Sequence, residues 1–144
     1  MFRPQYNKET FYHWTEIQVR FRDMDPLNHA NNALFNTYLE EARIQFLAEV
    51  GHMQSQFSEG KTFVLAKCTI EYLSQITFPS TLLVGSGISK VGNTSINIVQ
   101  GIYDKETHNL MSMADSKGVW FDLDKQRPTR LPEVENIEAM MVQT

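Results

Sequence analysis

The chain has 144 residues, 42% of them hydrophobic and 21% charged, which excludes a disordered or low-complexity protein and supplies apolar material for one compact domain. Thirteen Lys and Arg against seventeen Asp and Glu leave a formal charge of −4, with no general basic footprint for nucleic acid. One cysteine, Cys68, permits no internal disulfide. No run reaches the roughly 18 apolar residues of a membrane span, and the N-terminus lacks the apolar stretch of a signal peptide, so a soluble cytoplasmic protein is expected.

From Thr15 the first segment, Phe11 to Arg22, alternates. Ile17, Val19 and Phe21 share one side and Glu16, Gln18, Arg20 and Arg22 the other, as in a half-buried strand. The turn formers of DMDPLNHANN end it. A helix of roughly 17 residues is expected next, because Phe35, Tyr38, Leu39, Ala42, Phe46, Leu47 and Val50 recur at three- and four-residue spacing, with Glu40, Glu41, Arg43 and Gln45 outward. Asn31 or Asn32 supplies its cap and Gly51 its stop.

Four strands follow: Thr62 to Ser74, with Val64, Ala66, Cys68, Ile70 and Tyr72 on one face, then Leu82 to Lys90, Thr94 to Tyr103 and Leu110 to Phe121. The separators Gly92–Asn93 and Asp104 to Asn109 suit antiparallel hairpins. Glycines 85 and 87 fall inside a strand, where they relieve crowding or permit curvature, and there is no glycine fingerprint of a dinucleotide fold. The residues from Asp124 to Glu133 read as an exposed exit, and 131–144 as a peripheral C-terminal tail with a short helix. The order strand, long helix, four strands defines a single α+β domain over 1–144, with an antiparallel sheet burying the apolar face of the helix.

Polar chemistry concentrates between the first strand and the helix, at Asp23, Asp25, Asn28, His29, Asn31 and Asn32. A carboxylate serves as nucleophile or base, and a helix start offers unpaired N–H groups where negative charge develops, a combination suited to acyl transfer. The same residues also do purely local work as caps and turn formers.

VRFRDMDPLNHANNALFNTYLEEAR, Val19 to Arg43, resembles the signature of the 4-hydroxybenzoyl-CoA thioesterase-like branch of the hotdog-fold acyl-CoA thioesterases. Ile70 to Gly85 is similar to its central strand pair and Gly92 to Asp104 to the strand that follows, so the likeness runs from about Glu16 to Pro132. It implies a hotdog fold, a long central helix wrapped by a curved antiparallel sheet, with protomers joined side by side as a homodimer or homotetramer. It also implies hydrolysis of acyl-CoA, or acyl carrier protein, thioesters without a cofactor or metal. The family's catalytic aspartate falls on Asp25, and the backbone N–H that holds the carbonyl oxygen on Asn32. Two positions depart from the pattern: Asn28 stands where many relatives carry Gly, and Gln75 where many carry Pro.

His29 is a candidate to orient substrate or water. Lys90 with Thr94 and Ser95 is the expected contact for coenzyme A phosphates, with Lys67 and Lys117 next in line, and Phe57 and Phe63 are candidate acyl-pocket residues. Asp23 reads as a structural acid, and Cys68 as a small buried hydrophobe. The four histidines lack metal-ligand spacing, so no metal is expected. A hotdog dehydratase using Asp25 with His29, and a non-catalytic acyl-CoA binding module, are the alternatives.

Overall fold

A computed structural model describes residues 2–50 and 59–143 of the chain. Its elements are β1 (His13–Gln18), α1 (Asn32–Ala48), β2 (Lys61–Tyr72), β3 (Thr81–Val91), β4 (Ser95–Asp104), β5 (Leu110–Asp122) and β6 (Arg127–Pro128). All strand pairs are antiparallel. The order is β1-β3-β4-β5-β2, with β6 closing against the end of β5. Both expected hairpins form, β3–β4 across Gly92–Asn93 and β4–β5 across the 105–109 turn.

The helix begins where its cap dictates: the Asn31 side chain accepts a hydrogen bond from Ala33 N at 2.9 Å. Its apolar stripe lies on one face of the sheet. At its N-terminal end Phe35, Tyr38, Leu39 and Ala42 pack with Ile17, Val19, Ile76, Leu82, Val84 and Ile102. At its C-terminal end Phe46, Leu47 and Val50 pack with Ile88, Ile96, Ile98 and Trp120. Truncating a fully buried member such as Leu39 to Ala is expected to cost about 2–5 kcal/mol.

The other face of the sheet is half covered by the N-terminal segment. Phe2, Tyr6, Phe11 and Trp14 cluster there with Val99, Tyr103 and Met113. Gly85 is required at this point, because a Cβ would lie 2.4 Å from the Phe11 ring. The C-terminal residues pack as well. Met140 is buried with the second cluster, Leu131, Val134 and Ile137 lie against it, and Val142 N donates to Ile88 O at 2.9 Å. Their helical turn, Ile137–Met140, is 3₁₀.

Three expectations are corrected. Phe21 does not continue the buried row of Ile17 and Val19: it is 77% exposed, because the chain leaves the sheet and coils into a 3₁₀ turn, Phe21–Asp23. Arg43 is not an outward residue of α1 but is 8% exposed. On β2, Val64 does not share the inner face with Cys68 and Ile70. A register shift between Leu65 and Lys67 changes the phase of the strand, so Phe63 faces Trp120 while Val64 is 42% exposed. The Gly51 helix stop lies outside the described residues.

Candidate active site

The loop between β1 and α1 is a short hairpin. Met24 and Ala30 form an antiparallel bridge, Asp25 N donates to His29 O at 2.9 Å, and Asn28 N donates to Asp25 O at 3.0 Å. Asn28 takes φ 60°, the left-handed conformation that tight turns leave to Gly or Asn. Inside this turn Asp25 Oδ1 accepts from Leu27 N at 2.9 Å and His29 N at 3.1 Å. No donor among the described residues engages Oδ2, and the side chain is exposed. The carboxylate is thus held by one oxygen and open at the other, as attack on a carbonyl or on a water proton requires.

Asp23, two residues earlier, is closed. It is 3% exposed, its Oδ1 accepts from Arg20 Nε and Nη2 at 3.1 and 2.9 Å, and its Oδ2 accepts from Arg20 N at 3.0 Å and Tyr38 Oη at 2.9 Å. Burial alone would raise this carboxyl, but the hydrogen bonds from Arg20 and Tyr38 outweigh it and hold it below the usual carboxylate range. Burial, then the bond to Asp23, pushes the Tyr38 hydroxyl well above its ordinary value.

In the first turn of α1, Ala33 N is capped by Asn31 and Leu34 N donates to Asn31 O at 2.8 Å. Asn32 N, at the first helical position, has no acceptor among the described residues. Asn32 lines a cavity of about 160 Å³ with Phe35, Tyr72, Leu73, Ser74 and Gln75. The rings of Phe35 and Tyr72 meet edge to face at 5.1 Å. A wider groove of about 710 Å³, lined by residues 77–81 and 104–107 with Gln18 and Val19, contains none of the expected catalytic residues.

His29 meets Asp25 through its backbone only, and its ring makes no hydrogen bond among the described residues. Phe63 lies with Trp120 at the opposite end of α1 from Asn32, and Phe57 lies outside the described residues. Cys68 is partly buried, and burial pushes its thiol up, away from the nucleophilic thiolate. The chemistry-bearing residues that the sequence pattern passes over are Phe35 and Tyr72, which read as helix core and strand, and Arg43, whose buried Nη1 has no hydrogen-bond partner among the described residues.

The lysines converge. Lys67 pairs in register with Lys117, Lys117 with Asn97, and Asn97 with Lys90, so one row crosses four strands. Together with Thr69 and Asp115 these residues line a depression of about 380 Å³. The row lies on the face turned away from α1, since Ile96 and Ile98 on either side of Asn97 pack against the helix. Thr94 and Ser95 stand at the β3–β4 turn, where Gly92 N donates to Ser95 O at 2.8 Å. Arg130 lines a cavity of about 330 Å³ beside Gly92 and Asn93.

A long helix laid over an antiparallel sheet of this strand order, entered through a carboxylate-bearing hairpin, is the hotdog architecture. Residues 19–140 match the Thioesterase-like superfamily, and the chain belongs to it. It is 27% identical over 122 residues to the chloroplast acyl-acyl carrier protein thioesterase ATL2 of Arabidopsis thaliana, covering 84% of this chain and 64% of the plant protein. The chain thus spans less than two thirds of that relative's length. It is 27% identical over 126 residues to the acyl-CoA thioester hydrolase YbgC of Escherichia coli, covering 86% and 92% of the two chains. Among solved structures, YbaW, a probable thioesterase from Escherichia coli, superimposes with a TM-score of 0.77 at 26% identity over 90% of this chain and 98% of that one. A Thermus thermophilus thioesterase complexed with coenzyme A and Zn does so with a TM-score of 0.73 at 30% identity, over 88% and 94%. Membership of the 4-hydroxybenzoyl-CoA branch is not distinguished by these matches.

Proposed function

We propose that this protein hydrolyses acyl thioesters of coenzyme A or of acyl carrier protein to a free acid and a thiol. The observation that carries this reading is the half-engaged carboxylate of Asp25, fixed by Leu27 and His29 amides at Oδ1 and open at Oδ2, in the hairpin that leads to an Asn32 N–H with no acceptor among the described residues. Asp25 either removes a proton from the water that attacks the thioester carbonyl, or attacks that carbonyl directly to give an acyl–Asp25 anhydride that water then cleaves to the free acid and the restored carboxylate. The Asn32 N–H donates a hydrogen bond to the developing oxyanion, and the thiolate leaves and takes up a proton. Phe35 and Tyr72 border the acyl entrance at Asn32, and Phe63 awaits only a chain long enough to run the length of α1. The role proposed for His29, whose backbone N–H holds Asp25 Oδ1, is to orient water beside that carboxylate. The side-chain pairing of Asp25 with His29 that a dehydratase needs is not assembled here.

Lys90, flanked by Thr94 and Ser95 at the end of the β3–β4 hairpin, is the proposed grip on coenzyme A phosphates, supported by its convergence with Lys67 and Lys117. Coenzyme A is carried over from the Thermus thermophilus complex, and among the described residues no cluster of three or more His, Cys, Asp or Glu is placed to hold a metal. A second copy of the chain is the proposed partner, joined along β2. No helix among the described residues is long and apolar enough to cross a membrane. A hydrolysis screen over short, long and aromatic acyl-CoA esters, read as free thiol, tests the reading. Saturable binding without thiol release would leave a binding module instead.

A further inference from the structure

Asn28 does more than allow a turn. Its backbone sits at φ 60°, where glycine fits with no steric cost, so the conformation alone gives no reason for a side chain. That side chain reaches across 50 positions of sequence to one peptide group: Asn28 Nδ2 donates to Phe78 O and Asn28 Oδ1 accepts from Phe78 N, each at 3.4 Å. Among residues that enter the left-handed region readily, Asn alone carries the adjacent donor and acceptor that match a peptide's N–H and C=O. The contact extends a ladder, since Ala30 N donates to Ile76 O at 2.8 Å and Val19 N to Ser80 O at 3.0 Å. The 76–80 connection therefore braces the Asp25 hairpin at three points, and the middle one belongs to Asn28.

We propose that Asn28 is a positioning residue for the Asp25 carboxylate. This rests on the hydrolase reading above for its kinetic consequence, although not for its structural one. Asn28 N also closes the turn onto Asp25 O, so rotation of this peptide moves the Leu27 and His29 amides that hold Asp25 Oδ1. Tying the Asn28 side chain to the 76–80 segment fixes those two amides and, through them, the direction of Oδ2. Misplacing a reacting group by about 1 Å can cost roughly 100-fold in rate.

Asn28→Gly keeps the positive φ and removes only the brace. Asn28→Asp keeps the left-handed tolerance but sets a carboxylate oxygen against the Phe78 carbonyl. Both variants are expected to melt within a few degrees of the unmodified protein and to lose roughly tenfold in kcat with KM within about twofold. Solvent exchange of the Leu27 and His29 amide protons, followed by NMR, is expected to rise several-fold in both. Unchanged exchange overturns the proposal, as does faster exchange with unchanged kcat, or a loss confined to KM. The exchange measurement decides whether Asn28 holds the carboxylate even where the unmodified protein turns over no thioester, an outcome that would sink the hydrolase reading alone.

Discussion

Asp23 and Asp25, two residues apart, present their carboxylates to opposite environments. Both oxygens of Asp23 are consumed by Arg20 and Tyr38 in a site closed to solvent, whereas Asp25 spends one oxygen on its own turn and exposes the other. The first arrangement stabilises a charge and the second leaves one exposed. Three hydrogen bonds from one arginine and one from the anchored tyrosine leave Asp23 no lone pair aimed at a substrate.

Asp23→Asn is accordingly expected to lower stability at pH 7 by about 1–3 kcal/mol, the range for leaving hydrogen-bonded charged partners incompletely matched. Because the Asp23 carboxyl holds its proton less readily folded than unfolded, its contribution is full above an unfolded value near 4 and is lost as pH falls through the lower folded value. Denaturant titrations at pH 7, 5 and 3 should therefore show the gap between variant and unmodified protein narrowing towards pH 3. Abolished turnover with unchanged stability would reverse the roles of the two acids.

Asp25→Asn keeps the shape of the turn, since an amide oxygen still accepts from Leu27 and His29. It removes the anion needed for attack or for proton abstraction. General-base catalysis contributes about 10²- to 10⁴-fold, so turnover of the best thioester should fall at least roughly 100-fold while circular dichroism and melting stay unchanged. Near-normal turnover by the folded variant would remove Asp25 from the mechanism.

The legible features were local ones. Periods of two and of 3.6 residues are written in the chain, as are the Asn31 cap, the two hairpin turns and the RDMDP segment ahead of the helix. What escaped depends on distant residues or on a single inserted one. The irregularity between Leu65 and Lys67 reverses the faces of half of β2, which no period carries through. Phe21 is expelled because Asp23 turns back onto Arg20, and Arg43 is buried by packing that outweighs its charge. At the candidate site the acids and the helix start are local and could be read, while the Asn28–Phe78 pairing and the lysine row exist only once strand order is known.

Strand β2 is an edge of the sheet over its 12 residues, paired among the described residues with β5 alone, and it exposes Val64 and Leu65. Long apolar edges of this kind are templates for pairing with another chain. Sedimentation equilibrium at micromolar concentration is expected to give at least a dimer, and Val64→Lys with Leu65→Lys is expected to shift it towards the monomer and reduce turnover. A fully active monomer would contradict pairing along β2 and any part for it in the site.

Lys90 stands in the row formed with Asn97, Lys117 and Lys67, where three cations face one carboxylate, Asp115, across the same depression. None of the three lysines is in an ion pair among the described residues, so their charge is available to an anion. Lysine acts as a flexible point charge, and Lys90→Ala should raise KM for a coenzyme A thioester while leaving kcat nearly intact. The effect should weaken with salt, since screening reaches about 10 Å at 0.1 M. The control is the matching ester of a short thiol without nucleotide phosphates. A loss confined to the coenzyme A ester and shrinking at high salt supports a phosphate grip at Lys90. Equal losses on both esters would mean that Lys90 supports the sheet generally. No loss on either would move the grip to another cation, with Lys67 and Lys117 of the same depression the next substitutions to make.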